Sequence, residues 1–389
     1  MNERSPYSKP LLCAEVVSRL DAEFESALSR GVFPGASLLV ARRGAPVLER
    51  TWGSVETGGA PVTPIVRFDL ASLTKALVTA PLCMIAAQGG YLDLDDTVSR
   101  FFPGCVPEDK KAITVRNLLC HSSGLPAYEP FYRELMKLVP GQRREALTSM
   151  ILQTPLDNPP GKAATYSDPG FMLLGLILEG VMGGRLDRLA GEFLFDPLGI
   201  DQLHFCPLDG DREEAPGPSR GFAATQFCPW RKRLLRGEVD DENCWALNGV
   251  AGHAGLFGTA RGVFELLSFL WELYEGEASP FFSPGAGRVR PLITPEIVRL
   301  FWTRSELGDW CPGYDTPSRK GYASGGRYIS RKAVGHLGFT GVSFWLDLEN
   351  RVLIILLTNR VHPTRKNDEI RQFRPLLHDI VMKALYYGN

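Results

Sequence analysis

The stretch Phe68-Asp-Leu-Ala-Ser72-Leu-Thr-Lys75-Ala-Leu-Val-Thr-Ala-Pro-Leu-Cys-Met-Ile-Ala-Ala87 decides how this chain folds. It sets a hydroxyl and an amine three residues apart at the head of a long apolar run. Residues at i and i+3 share a helix face, so Ser72 and Lys75 can meet. A serine hydroxyl is a weak nucleophile until a neighbouring base takes its proton. A lysine is such a base only when neutral, a form that burial and the positive end of a helix both favour. Taken alone, the pattern fits equally an N-cap serine followed by a surface lysine. The context argues against that. Residues 76–87 carry no charge and run into Gln88-Gly89-Gly90, the pattern of a buried helix stopped by glycine. A lysine at the head of a buried helix is costly without a partner or a task.

Around this segment the composition is that of an ordinary globular protein. The 389 residues are 44% hydrophobic and 22% charged, enough for a substantial core in one large domain. The 43 Lys and Arg nearly balance 44 Asp and Glu, so no broad basic field attracts nucleic acid or an acidic membrane. The short cluster Arg231-Lys-Arg233 faces Glu238, Asp240, Asp241 and Glu242 along the chain and reads as a solvated loop. No run reaches the length of a membrane span, and residues 1–10 lack the apolar core of a signal peptide. A cytoplasmic protein is therefore expected, with a periplasmic one as the alternative. The eight cysteines form no C-x-x-C pair and no zinc spacing, so they are expected as small core residues. No metal or cofactor is expected. The expected partner is a small-molecule or peptide-like substrate, and the sequence does not fix the oligomeric state.

Periodicity supplies the frame. Val16, Val17, Leu20, Phe24 and Leu28 stand at helical spacing within residues 14–29. Residues 36–41 and 46–52 flank Arg43-Gly44-Ala45 as a hairpin, and residues 342–347 and 351–358 form a second around Leu348-Glu-Asn350. A closing helix over 367–387 carries Ile370, Phe373, Leu377, Ile380, Ala384 and Leu385. Both ends of the chain thus contribute antiparallel strands and a helix, while residues 76–270 read as mainly helical with loops. This predicts an α+β fold: one antiparallel sheet built from both termini, flanked by helices, with a mainly helical lobe inserted. One domain is expected over 1–389, an α/β lobe of about 12–75 and 320–389 enclosing the insertion at about 76–319. Residues 207–221 and 276–291 read as long loops, a common setting for lids and substrate walls.

Two further motifs complete a catalytic set. Tyr166-Ser-Asp168 lies on a turn after Pro159-Pro-Gly161 and before a second apolar run at 169–178. A tyrosine there can pass protons to and from the nucleophile and leaving group. The bland alternative is a turn tyrosine with Asp168 as N-cap of the next helix. His336-Leu-Gly338-Phe-Thr340-Gly341 leads into the penultimate strand, where glycine lets a backbone or ligand approach closely. The N–H groups of Phe339 and Ser72 can then form an oxyanion hole; a strand-entry bulge with a surface histidine is the alternative. His121 in His121-Ser-Ser-Gly124 reads as a loop tie rather than a catalytic group. His253, in the glycine-dense 249–257 segment, stands either in a pocket wall or in a structural turn.

S-x-x-K, then Y-x-[N/D], then H-x-G in this order resembles the three-part signature of penicillin-recognising serine hydrolases. The Tyr and His variants are similar to the class C β-lactamase-related group, which includes D-alanyl-D-alanine carboxypeptidases and family VIII esterases. Phe68–Lys75, Asn117–Leu125, Pro160-Gly161, Gly335–Gly341 and Thr358-Asn-Arg360 carry the likeness from about residue 30 to 385. The Gly249–Phe257 segment resembles a bacterial subgroup linked to cell-wall peptide hydrolysis and recycling. The resemblance implies an acyl-enzyme mechanism: Ser72 as nucleophile, Lys75 and Tyr166 sharing acid and base work, and the N–H groups of Ser72 and Phe339 as oxyanion donors. It implies an esterase, peptidase or amidase; a β-lactamase or D-Ala-D-Ala carboxypeptidase, and a non-catalytic binding protein retaining the pocket, are the alternatives.

Three departures bear on substrate. Asp168 stands where many relatives have asparagine, and an ionised carboxylate only accepts hydrogen bonds. Beside Lys75 it would also favour the ammonium. Leu337 replaces a common threonine, and His336 replaces a common lysine, removing a fixed positive charge. Together they weaken recognition of a substrate carboxylate and favour an ester or neutral amide, unless Thr340 or a loop arginine restores anion binding.

Overall fold

The computed structural model describes residues 12–208, 221–276, 293–319 and 324–386. The expected loops at 207–221 and 276–291 lie almost wholly outside these residues. Strands β1 (Gly35–Arg42) and β2 (Ala45–Gly53) form the first hairpin, as the alternation across Arg43-Gly44 predicts; Gly44 holds the turn at φ 77°. Strands β11 (Ser343–Asp347) and β12 (Val352–Thr358) form the second. β1 pairs antiparallel with β12, Ala36 opposite Thr358, so the two ends of the chain meet in the sheet centre. With β8 (Trp310–Cys311), β9 (Tyr314–Asp315) and β10 (Ala333–Leu337), the sheet runs β2-β1-β12-β11-β10-β9-β8.

Successive side chains of a strand point to opposite faces, and both faces of this sheet are covered. Leu38 and Val40 join Ile354 and Leu356 in one apolar layer with helices α1 (Ala14–Ser29) and α5 (Ile370–Tyr386), where Phe24 stacks on Trp52. Leu39 and Ala41 join Leu353, Ile355 and Leu357 in the larger layer on the other side. That layer contains α2 (Lys75–Gln88), α3 (Asp168–Met182) and α4 (Ala260–Glu275). Burying a Leu-sized side chain contributes about 1.5–3 kcal/mol, and Leu77, Leu82, Met84 and Ile85 of α2 are all buried. Cys83, Cys120, Cys228, Cys244 and Cys311 are buried free thiols.

The stretch read as mainly helical also holds strands. Within it, β7 (Leu256–Gly258) and β4 (Leu203–Phe205) form a small sheet with β3 (Phe68–Asp69), which lies just before it, and β5 (Ala224–Cys228) pairs with β6 (Arg233–Arg236). Runs of two to five residues are too short for alternation to mark them. The small sheet has a direct bearing on the site, because β3 delivers the chain to Ser72. No single helix among the described residues is long and apolar enough to cross a membrane.

Candidate active site

The turn that presents Ser72 is pinned at several points. Asp69 accepts the N–H of Ala71 on Oδ1 (2.9 Å) and that of Asp240 on Oδ2 (2.7 Å). Thr74 donates to Ala71 O (2.7 Å) and accepts from Leu256 N. Ala71 is held at φ 46°, a left-handed conformation costing a non-glycine residue roughly 1–2 kcal/mol. Burial, then the nearby Asp240 carboxylate, push the Asp69 carboxyl up to about 7, against the pull of its two backbone N–H bonds.

Immediately after the turn, α2 begins with a wide helical turn over Lys75–Thr79. The fully buried Lys75 Nζ lies 3.0 Å from Ser72 Oγ, as the i, i+3 spacing predicts. It also donates to Asp168 Oδ1 (2.6 Å) and to the carbonyl of His253 (3.2 Å). Burial pulls the Lys75 pKa down, but Asp168 and Tyr166 outweigh it and the net shift is upward. Asp168 does not cap α3: Ser167 does so, accepting the N–H of Gly170, which frees Asp168 to face the lysine.

Tyr166 completes the cluster. Lys75 Nζ is 4.8 Å from its ring centre, and its hydroxyl interacts with both Lys75 and Ser72. Burial pushes the phenol up to about 12, with Lys75 pulling the other way. His121 lies 4.6 Å from the tyrosine, ring centre to ring centre. Its Nδ1 accepts the N–H of Ser167 (3.1 Å), and its carbonyl accepts that of Thr165 (2.8 Å). The loop tie expected from sequence is thus also the side wall of Tyr166.

β10 brings in the third motif. His336 is buried, and burial, followed by the Lys75 charge, lowers it to about 3; its ring is neutral at physiological pH. Its Nδ1 is 2.8 Å from Leu337 O, which fixes a proton on Nδ1. Gly338 packs against the nucleophile turn so closely that a Cβ there would stand 2.9 Å from Leu70 O. Phe339 is 51% exposed at the cleft, with Arg360 4.6 Å over its ring. Thr340 Oγ1 donates to Asp69 O (2.7 Å), so its proton is committed inside the protein. His253 acts through its main chain; its Nε2 is 2.9 Å from Asp241 Oδ1, fastening the 240–243 segment beside the site.

These groups line one cavity of about 520 Å³, within the range of small-molecule sites. Its lining includes Ser72, Tyr166, Asp168, His253 and His336 together with Phe339, Arg360 and Arg374. Sequence reading singled out neither Arg374, which looks like any polar residue of an amphipathic helix, nor Asp69.

Comparison with known proteins bears on the family and the fold. A family model described as Beta-lactamase matches residues 20–378. A protein of Escherichia coli (strain K12) named "Putative D-alanyl-D-alanine carboxypeptidase" is 30% identical over 394 residues, covering 93% of this chain and 86% of its own length. Among solved structures, EstCE1, described as a hydrolase with promiscuous acyltransferase activity, superposes with a TM-score of 0.70 at 19% identity, over 94% of this chain and 98% of its own. Simvastatin synthase (LovD) from Aspergillus terreus gives 0.68 at 19% identity, over 97% of this chain and all of its own. At that identity these structures share the fold.

Proposed function

The chain belongs to the beta-lactamase family, and from that premise we propose that it is a serine hydrolase cleaving ester or amide bonds of small or cell-wall-derived substrates through an acyl-enzyme. One observation carries the reading: an alcohol, an amine and a phenol from segments more than ninety residues apart meet at the cavity wall, with Ser72 Oγ 3.0 Å from Lys75 Nζ.

Ser72 Oγ bonds to the substrate carbonyl carbon while its proton passes to the coupled Lys75–Tyr166 pair. Asp168 favours the ammonium of Lys75, which weakens the lysine as base and gives the tyrosine a larger share. The developing oxyanion is taken up by the N–H groups of Ser72 and Phe339. The same pair returns the proton to the leaving oxygen or nitrogen. Water then attacks the Ser72 ester by the reverse route and frees the acid. Neutral His336 adds no charge at the third motif; it shapes the wall facing Tyr166, with ring centres 6.2 Å apart.

The name of the Escherichia coli relative supports D-Ala-D-Ala carboxypeptidase activity as the second reading. Retention of all three catalytic side chains argues against a binding protein that merely kept the pocket. The test is Ser72→Ala. The variant is expected to fold normally, lose hydrolysis of p-nitrophenyl acetate by about 10³-fold or more, and take up no fluorophosphonate adduct in intact mass. Wild-type turnover in that variant would refute the nucleophile assignment. A parallel panel of esters, D-Ala-D-Ala peptides, muropeptides and a cephalosporin ranks the substrate classes.

A further inference from the structure

The turn that carries the Phe339 N–H is closed by its own backbone. Gly341 N–H donates to Gly338 O (3.0 Å) and Gly338 N–H to Val342 O (2.8 Å), so Phe339 and Thr340 are the corners of a four-residue β-turn. Among the described residues, neither the Phe339 N–H nor the Ser72 N–H has a hydrogen-bond acceptor. Such a turn has one weak point, the peptide between its corners, whose rotation separates type I from type II. Here that peptide joins Phe339 to Thr340, and its carbonyl is held from outside. Arg360, two residues beyond β12, donates from Nε to Phe339 O at 2.8 Å. Its Nη1 donates to Arg365 O (3.2 Å) and Asn367 O (2.6 Å), and its main-chain N–H to Thr340 O (3.1 Å). One planar guanidinium thus fastens the turn to the 365–367 segment, a task that needs a fork of fixed geometry.

The Phe339 side chain is gripped as well. Its ring is half exposed, yet the guanidiniums of Arg360 and Arg365 stand 4.6 Å and 5.4 Å from its centre, within the range of cation–π attraction. Arg365 is anchored by Asp240 and Glu242. The Asp240 N–H bonds to Asp69, whose carbonyl accepts from Thr340. The turns bearing Ser72 and Phe339 are therefore tied into one frame through Asp69, Asp240, Arg365 and Arg360. The charges around Arg360 are mixed, Arg371 and Arg365 against Asp240 and Asp368. What the residue contributes is geometry. With the Phe339 carbonyl fixed, only the φ and ψ of that one residue separate the clamp from its N–H.

We propose that Arg360 is a positioning residue: by holding Phe339 O and lying on the Phe339 ring, it keeps the Phe339 N–H aimed at the developing oxyanion. This rests on the acyl-enzyme reading and on the oxyanion donors assigned there.

The experiment compares Arg360→Gln with wild type on p-nitrophenyl acetate, with phenylboronic acid as a probe of the oxyanion position. Ser72 Oγ bonds to the boron, its proton passes to the Lys75–Tyr166 pair, and the tetrahedral boronate sets an oxygen where the oxyanion forms. The variant is expected to lose about tenfold or more in kcat, to keep KM within about threefold of wild type, and to bind the boronate more weakly by about the factor lost in kcat. A merely structural role would lower the melting temperature and leave kcat and boronate affinity of the folded protein unchanged, a result that overturns the proposal. Arg360→Lys keeps the charge in the cavity but not the fork; wild-type kcat in that variant would make the residue a charge rather than a clamp, and also overturns it. Because Arg360 is buried, Phe339→Leu tests the clamp at a half-exposed ring with the core untouched. It is expected to lower kcat about threefold, with boronate affinity moving in step, and unchanged values overturn the proposal. The clamp is also read without catalysis. Hydrogen exchange at the Gly338 and Gly341 amides, which close the turn, is expected to be at least about fivefold faster in Arg360→Gln, and an unchanged rate overturns it. If folded wild type neither hydrolyses the ester nor binds the boronate, the acyl-enzyme reading fails by itself, and the exchange rates still decide whether Arg360 holds the turn.

Discussion

Gly338→Ala is a stringent test of the oxyanion arrangement. A Cβ at this position would stand 2.3 Å from Val342 Cγ2, 2.9 Å from Leu70 O and 3.4 Å from Ala71 Cβ. Non-bonded heavy atoms settle at about 3.5–4.0 Å, so the 338–341 turn must retreat from the nucleophile turn by roughly 0.5–1 Å. Val342 is fully buried and has little room to yield. Displacements of about 1 Å cost around 10²-fold in rate, and removing one oxyanion donor costs about 10²–10³ in kcat. The expected result with p-nitrophenyl acetate is therefore a kcat reduced about 100-fold, with KM within about threefold of wild type. Overpacking also destabilises by about 1–3 kcal/mol, so rates are measured well below the melting temperature. Gly335→Ala is the control. Its Cβ would stand 2.6 Å from Phe344 O and from the Trp345 ring, an equal crowding elsewhere on β10. Wild-type kcat in Gly338→Ala, or equal loss of kcat in both variants, would refute the reasoning.

Two further predictions concern protons. Asp168→Asn removes an anion 2.6 Å from Lys75 Nζ, an attraction of about 6 kcal/mol at an effective dielectric constant near 20. Burial then dominates and disfavours the ammonium, so the rising limb of the kcat/KM pH profile should move to lower pH; an unmoved limb would place the titrating proton elsewhere. Asp69 yields a stability prediction. Its carboxyl is held near 7 in the fold against 3.8 in the unfolded chain, so the folded state binds the proton more tightly. Stability should therefore fall as pH rises from about 4 to about 7 and level off above, by an amount on the order of 4 kcal/mol from this group. Thermal melts of Asp69→Asn should show a shallower decline over that window, and an unchanged slope would contradict the assignment.

The parts of the site that are local in the chain were legible in the sequence. Ser72 and Lys75 lie one helical turn apart, so backbone geometry alone joins them. Both hairpins declare themselves by alternation across a tight turn, and the closing helix by its apolar stripe, shifted only to Ile370–Tyr386. What depends on packing was not legible. The sequence leaves Asp168 between a helix cap and a neighbour of Lys75, and only the packing decides: Ser167 takes the cap and Asp168 meets the lysine. His253 draws attention to its ring, whereas its carbonyl is what touches Lys75. His121 presses on Tyr166 only because two loops far apart in the chain close together. Arg374 is invisible in sequence, since nothing in a helical pattern tells a buried arginine on a cavity wall from a solvated one.

The pairing of β1 with β12 shapes how this molecule must be made. Gly35 N and Asn359 Oδ1 bond across 324 residues. At about 5–20 residues per second, roughly 16 s to about a minute of translation separates the two strands. Through that interval the first hairpin waits beside the ribosome with Leu38, Leu39 and Val40 uncovered and a strand edge open to any neighbour. A chain cut short anywhere before β12 keeps that strand edge open and its apolar face uncovered, the two features that favour aggregation.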